Sequence, residues 1–392
     1  MNVPKLRFKE FNDEWQTSKI GDFCKVLMCK RIFANETSID YEIPFYKIGT
    51  IGGVPDTYIS RQLFEEYKTK YNYPKKGELL ITCSGTVGKC TIFDGHDSYY
   101  QDSNIVWLDN PTLKINNDFL YYLLSKVDWS KLNSTTIVRI YGDNLRQLRV
   151  SFPTRIEQDK ITKTLNLLDK KIELQTKKIE DLKLFKKGIL NELVNNIIID
   201  KTYKLNDIGI SYTGISGKTK EDFNHGSAKY IPFINILKNN ININNLPSID
   251  IKPSEKQNKV MNGDLFFTIS SETKEEVGMC ATLKEIVTNV YLNSFCFGFR
   301  IKNMNIVDNE FLCYLLLSNK YRKIISNLGQ GFTRVNLSKT QLMEIEIKIP
   351  KLEVQKKIAN TISFLEKHIN LEIHKLDKLE KLKKGLMQNI FV

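Results

Sequence analysis

The sequence predicts an α+β protein built twice over, with two mixed α/β globular halves, each running into a long helix, and the two helices paired as a coiled coil. Three observations carry this. Residues 153–194 recur without a gap at 350–391, at a constant shift of 197, and fourteen of the forty-two positions are identical. Apolar residues in both copies step alternately by three and four over more than four heptads. The stretches before each copy carry the same landmarks in the same order. Self-similarity of this kind marks a repeated architecture. Two copies of one plan give approximate two-fold symmetry, which suits a two-fold partner such as double-stranded DNA.

Taken in order, SKIGDF (18–23) is answered by YKLNDI (203–208), and YEIPFYKI (41–48) by KYIPFINI (229–236). KKGELLITCSGTVGKC (75–90) is answered by MNGDLFFTISSETKEEVGMC (261–280), and NNDFLYYLLS (116–125) by DNEFLCYLLLS (308–318). RIYGDNLRQLRVSFP (139–153) is answered by RVNLSKTQLMEIEIKIP (334–350), which makes Arg334 the expected counterpart of Arg139. ELLIT, TIFD, SNIVWL, DLFFTI and CFGFRI are short, β-branched or aromatic, and bounded by Gly, Asn or Asp, so they are expected as strands. FLYYLLSKV and FLCYLLLSNKYRKIISNL are expected as helices. The expected divisions are a first globular domain over 1–152, a first helix over 153–197, a second domain over 198–349 and a second helix over 350–392.

The first helical seam runs Ile161, Leu165, Leu168, Ile172, Ile179, Leu182, Ile189 and Leu193, with Gln175 and Lys186 in its two gaps. The second runs Ile358, Ile362, Leu365, Ile369, Leu376, Leu379, Leu386 and Ile390, with Glu372 and Lys383 in the gaps. A sustained 3,4 pattern must meet another helix, and the obvious partner for each is the other. Polar residues in a seam cost stability but fix register; alternatively, Lys186 and Lys383 lie on fraying, solvated ends. Pro153 and Pro350 precede the helices, where proline is tolerated and stops the preceding strand.

The 392 residues suffice for two or three domains, and the net charge of +13 is spread along the chain rather than gathered in a tail. That is an electrostatic footprint suited to a polyanion. The seven cysteines include no C-x-x-C pair and read as reduced, buried thiols of a cytoplasmic protein. The N-terminal MNVPKLRFKEFNDEW has no apolar core for a signal peptide, and FLYYLL and FLCYLLL are too short to span a bilayer. YTGISGKT (212–219) imitates a phosphate loop, but Tyr212 stands where the first glycine belongs. Pro55-Asp56 with Glu66-Tyr67-Lys68 fits a nuclease spacing that arises easily by chance in so charged a chain. No N-P-P-Y or D-P-P-Y tetrapeptide and no glycine-rich methyl-donor loop is present, and the four histidines show no metal spacing.

Several motifs together resemble the specificity subunit of a type I restriction-modification system, over the whole chain. They are the hydrophobic strand running into T-x-S-G-T-x-G-K (Gly77 to Lys89), the R-x-x-x-x-x-L lead-in to the proline, and P-x-x-x-E-Q-x-x-I opening the helix. Pro153, Glu157, Gln158 and Ile161 fit the last pattern; the second copy keeps Pro350, Gln355 and Ile358 but has Val354 for Glu, and its loop reads S-S-E-T-K-E-E-V-G. The resemblance implies two target-recognition domains, each reading half of a split asymmetric DNA site, and helices that pair antiparallel as a ruler for the spacer. It implies two docked adenine methyltransferase subunits and an ATP-driven restriction and translocase subunit. No cofactor is expected on this chain; S-adenosylmethionine, ATP and Mg2+ belong to the partners.

The DNA-contact candidates follow from side-chain chemistry. Ser84, Gly85, Thr86 and Lys89 suit phosphate positioning, as do Ser270, Ser271 and Lys274 in the matching loop. Arg139, Tyr141, Arg146 and Arg334 stand before the last strands, where arginine can read guanine. Lys30 and Arg31 share the loop position of Ser216, Lys218 and Thr219. The competing readings are ordinary turns and intra-domain ion pairs. Two rival functions remain open at this point: a fused nuclease or methyltransferase, and a coiled-coil adaptor without a DNA role.

Overall fold

The computed structural model describes residues 4–132 and 139–391. The chain divides into two compact units, Met1–Thr176 with Lys375–Val392, and Lys177–His374, so each unit takes part of both long helices.

In the first unit a four-stranded antiparallel sheet has the order Lys25–Leu27, Ile105–Asp109, Leu79–Thr82, Cys90–Ile92. The Leu79–Thr82 strand is buried on both faces, which explains its unbroken apolar run. Alternate residues point to opposite sides of a strand. Leu79 and Ile81 accordingly pack with Phe119 and Leu120 of the helix Asn117–Ser125, whereas Leu80 packs with Ile43, Phe45 and Tyr99. Phe45 and Tyr99 belong to a parallel pair, Ile43–Tyr46 beside Tyr99–Tyr100.

The second unit repeats this order with Gly209–Thr213, Cys296–Ile301, Leu265–Thr268 and Cys280–Thr282. Leu265 and Phe267 face the helix Asn309–Leu317, and Phe266 faces the other layer with Ile231 and Leu292. The parallel pair recurs as Phe223–Ile231 beside Val290–Leu292. One expectation is corrected. The run FLCYLLLSNKYRKIISNL forms two helices, Asn309–Leu317 and Asn319–Asn327, broken at Ser318. Ser318 is extended and buried; its hydroxyl donates to the Leu315 carbonyl at 2.6 Å, and its own carbonyl receives the Arg322 N–H. Serine competes for backbone groups in this way, and here it ends one helix and opens the next.

The long helices are Arg155–Asn195 and Leu352–Ile390. They pair antiparallel. In the first unit Ile161 and Leu165 share a core with Leu386 and Ile390. In the second, Ile358, Ile362 and Leu365 share one with Ile189, Leu190 and Leu193. The seam residues Leu168, Ile179 and Ile369 are buried, and Ile172, Leu182, Leu376 and Leu379 are half-buried. Each helix is seated by a buried glutamine. Gln158 accepts the Asn116 N–H and donates to the Pro153 carbonyl; Gln355 accepts the Asp308 N–H and donates to the Pro350 carbonyl, all at 2.7–2.9 Å. Asn116 and Asp308 cap the short helices, so one amide locks the start of each long helix to its domain.

The loss of glutamate at Val354 also has a structural cause. Glu157 is 1 % exposed and takes a two-pronged hydrogen bond from Arg7, both prongs 2.8 Å, while Leu6 N–H reaches the Asn389 carbonyl. This arm covers the start of the first long helix. Val354, with no such arm over it among the described residues, is exposed.

Candidate nucleic-acid interface

In the first unit a threonine clasp shapes the loop between two sheet strands. The buried Thr82 hydroxyl donates to the Thr86 carbonyl and accepts the Lys89 N–H at 3.0 Å, while Gly88 N–H returns to the Thr82 carbonyl at 2.8 Å. Gly88 has φ +79°, and a Cβ there would lie 2.0 Å from the Trp129 ring, so only glycine closes the loop. The loop then gathers distant segments. Ser84 hydroxyl donates to Asn104 at 2.7 Å, Thr86 hydroxyl to the Ile48 carbonyl at 3.2 Å, and Lys89 ammonium to the Ile51 carbonyl at 2.6 Å. Ile140 N–H reaches the Cys83 carbonyl at 2.9 Å, which brings the neighbouring Arg139 to the same place. Arg31 pairs with Asp102 at 2.9 Å, two residues from Asn104. The Lys30 ammonium lies 5.4 Å from the centre of the Tyr71 ring, and the Arg139 guanidinium 5.7 Å from that of the exposed Tyr141.

Side-chain roles therefore differ from those expected. The hydroxyl hydrogens of Ser84 and Thr86 are spent on chain oxygens, so these residues build the loop. Exposed charge comes from Lys30, Arg31 and Lys89. Arg146 stands elsewhere: it closes onto Asp143 at 2.8 Å and packs its Cβ beside Gly21.

The second unit repeats the clasp. Thr268 hydroxyl donates to the Glu276 carbonyl and accepts the Met279 N–H, and Gly278 N–H returns to Thr268, each at 3.0 Å. Gly278, at φ +67°, sits against Ile325 and Leu337. Thr268 lies ten residues before this glycine and Thr82 only six before Gly88, so the second loop is longer. The added length forms the strand Ser270–Ser271, which pairs with Val335–Leu337 of the hairpin begun by Gly329–Gln330. Ser270 and Ser271 are thereby buried, and Ser271 donates to Glu276 at 2.6 Å; neither presents a hydroxyl outward. Lys274 remains exposed on the loop.

Two further expectations are corrected. Lys218 has a side chain only 4 % exposed, held by Glu255 at 2.6 Å and Asp222 at 3.7 Å, so its charge is spent internally. Thr219 caps the same turn through Asp222, while Ser216 is exposed and bonds Gln257 through its backbone. Arg334 is not the counterpart of Arg139. Leu337 N–H reaches the Ile269 carbonyl at 2.7 Å, as Ile140 reaches Cys83. Ile140 therefore matches Leu337, at the shift of 197, and Arg139 matches Asn336. Matching arginine to arginine ignored the backbone bonds that set the register. Arg334 stands instead near the hairpin tip, 5.2 Å from the centre of the Phe295 ring. Phe332, fully exposed beside Gly331 at φ +120°, shares that tip. Nothing in the string GQGFTR separates such a phenylalanine from a core residue.

Burial pushes the thiols of Cys24, Cys29 and Cys90 up to about 12 and that of Cys83 to about 11, so none of these is an activated nucleophile at neutral pH. Among the described residues no cluster of His, Cys, Asp or Glu could hold a metal ion, and no helix is long and apolar enough to cross a membrane.

The fold is thus a twice-repeated α+β unit, each copy with a clasped loop and a long helix. The type I restriction modification DNA specificity domain matches this chain at residues 12–184 and again at 201–383, and the chain belongs to that family, as a specificity subunit with two recognition domains. The adaptor and fused-enzyme readings are not favoured. A Haemophilus influenzae protein described as a type I restriction enzyme specificity subunit is 50% identical over 152 residues, a match spanning 39% of each chain. The Methanocaldococcus jannaschii MjaVIII specificity subunit is 25% identical over 97% of this chain and 94% of its own. The crystal structure of the S subunit from M. genitalium has the same fold, with a TM-score of 0.61, 17% identity, and coverage of 100% of this chain and 99% of the other.

Proposed function

We propose that this chain is the non-catalytic reader of a cytoplasmic type I restriction-modification complex. Each globular half reads one part of a split, asymmetric DNA site, and the helix pair sets the unread spacer. Two methyltransferase subunits dock on it and carry S-adenosylmethionine; a restriction and translocase subunit brings ATP and Mg2+ chemistry. The observation that carries this is the doubled clasp, which pins to each sheet a loop bearing one exposed lysine, Lys89 or Lys274. Lys30, Arg31, Lys89 and Arg139 serve the first half, and Lys274, Arg334 and Phe332 the second, where Ser216 is also exposed.

Docking is supported by a second stripe on the helices. Leu167, Leu174 and Phe185 are exposed, and so are Phe364, Leu371 and Leu382, their partners at the shift of 197. Leu167 and Phe364 stand one position before seam leucines, and the other four one position before the polar gaps Gln175, Lys186, Glu372 and Lys383. Exposed apolar residues repeated at equivalent places mark an interaction surface. The chain alone is expected to neither methylate nor cleave DNA. With its methyltransferase it should assemble two copies per chain and methylate adenines at a split site, read by mass measurement and methylome sequencing. Leu167→Asp with Leu174→Asp should leave the chain folded and reduce the complex to one methyltransferase. A wild-type complex with a single copy contradicts the two-site reading.

Once that site is known, Arg334→Ala should relax one base position in one half-site, costing roughly 1–3 kcal/mol. Lys274→Ala should weaken all sequences alike and make the salt dependence shallower. Uniform weakening by Arg334→Ala would make Arg334 a phosphate contact instead.

A further inference from the structure

Each unit contains the same polar joint, made from one short helix of the globular domain and both long helices. In the first, the Tyr122 hydroxyl lies 2.8 Å from Asp169 Oδ2 and 2.6 Å from Asn166 Oδ1, and Lys383 meets Asp169 Oδ1 at 2.5 Å. In the second, the Tyr314 hydroxyl donates to Glu366 Oε2 at 2.7 Å, and Lys186 meets Glu366 Oε1 at 3.1 Å. Asp169 and Glu366 are partners at the shift of 197, as are Lys186 and Lys383. Tyr122 and Tyr314 each stand five residues beyond the asparagine that opens their short helix, Asn117 or Asn309. Lys284 adds a second cation to the second joint, 3.1 Å from the Tyr314 hydroxyl and 3.7 Å from Glu366.

The two lysines fill one polar gap in each seam and are paired there, so they are not fraying ends. Their half-buried side chains sit where an apolar residue would pack better. A polar pair in a seam weakens packing but leaves one favourable register. The tyrosines add a sideways tie. Tyr122 and Tyr314 are buried, and burial together with the neighbouring carboxylate raises each phenol far above its usual range, holding it as a donor. One carboxylate thus bonds both a long-helix lysine and a domain-helix tyrosine.

We infer that these joints are positioning devices that hold each recognition domain at one angle on the helix pair and thereby fix which spacer length the protein accepts. The inference rests on the reading proposed above. It is tested with the complete complex carrying Tyr122→Phe and Tyr314→Phe, which keep the rings and the lysine pairs. The probe is a DNA library in which the two half-sites are separated by spacers of varied length. The half-site bases should be unchanged, while preference for the native spacer over one a base pair longer or shorter should fall about tenfold, the scale of one hydrogen bond to a charged acceptor. Should the double variant fail to fold, either single variant should show a smaller relaxation in the same direction. Unchanged spacer preference, or altered half-site bases, overturns the positioning role. A wild-type complex that methylates no split site overturns the parent reading and this inference with it.

Discussion

Replacing Leu168 and Leu365 together by aspartate is expected to abolish methylation at the split site and to lower the thermal midpoint of the chain. Leu168 is buried in the seam, and Leu365 packs against the core containing Ile358 and Ile362. Truncating a buried leucine costs about 2–5 kcal/mol, and a desolvated carboxylate adds to that. The new charges would also stand beside Asp169 and Glu366, the acids that bind Lys383 and Lys186 across the helix pair. On the proposed reading, helices so loosened no longer set the spacer. The volume-conserving pair Leu168→Met and Leu365→Met should cost under about 1.5 kcal/mol per site and keep the methylated sequence, which isolates charge from shape. If the double aspartate variant still methylates the same site, the helix pair is not the ruler.

Exchanging residues 18–150 for the matching segment of a related subunit that keeps the tyrosine of the joint, Tyr122, is expected to change one half-site and leave the other half-site and the spacer as they were. The segment begins and ends within one antiparallel strand pair, where Ser18 lies opposite Val150. A module whose ends are neighbours can be replaced without moving what it is attached to. Its threonine clasp, its cations and its core sheet all lie inside the exchanged range, and Gln158 and the long helix lie outside it. Each mismatched base pair typically costs about 1–3 kcal/mol, so the old half-site should be rejected strongly by the hybrid. Methylome sequencing decides. A hybrid in which both half-sites change would overturn the modular division. Within the first reader, Arg139→Ala should relax one position if it contacts a base, and weaken all sequences equally if it contacts phosphate.

The doubling, the helical seams and the strands of each sheet core were legible in the sequence because they are written locally. A seam needs only residues three and four apart, and a buried strand only a short β-branched run bounded by turn residues. The identical Gln158 and Gln355 were visible as letters, but their work was not. Each reaches a helix cap more than forty residues away, and no local pattern encodes such a bond. Loop chemistry was the least legible part. Lys218 and Lys274 are equally charged on paper, and only the folded chain gives the first two carboxylates and leaves the second exposed. Ser270 and Ser271 resembled outward hydroxyls until four extra residues turned them into a buried strand.

By itself the sequence determined that this protein is two similar globular halves, each followed by a long helix with an apolar seam. Periodicity and repetition depend on the order of residues, and order is all a sequence holds. Tertiary structure alone decided which cations remain exposed, that Arg139 matches Asn336, and that Tyr122 and Tyr314 tie their domains to the seam. Those facts depend on which side chains meet across long stretches of chain. Burial then makes the outcome one-sided: a charge or hydroxyl inside the protein must be partnered there, and so is withheld from DNA.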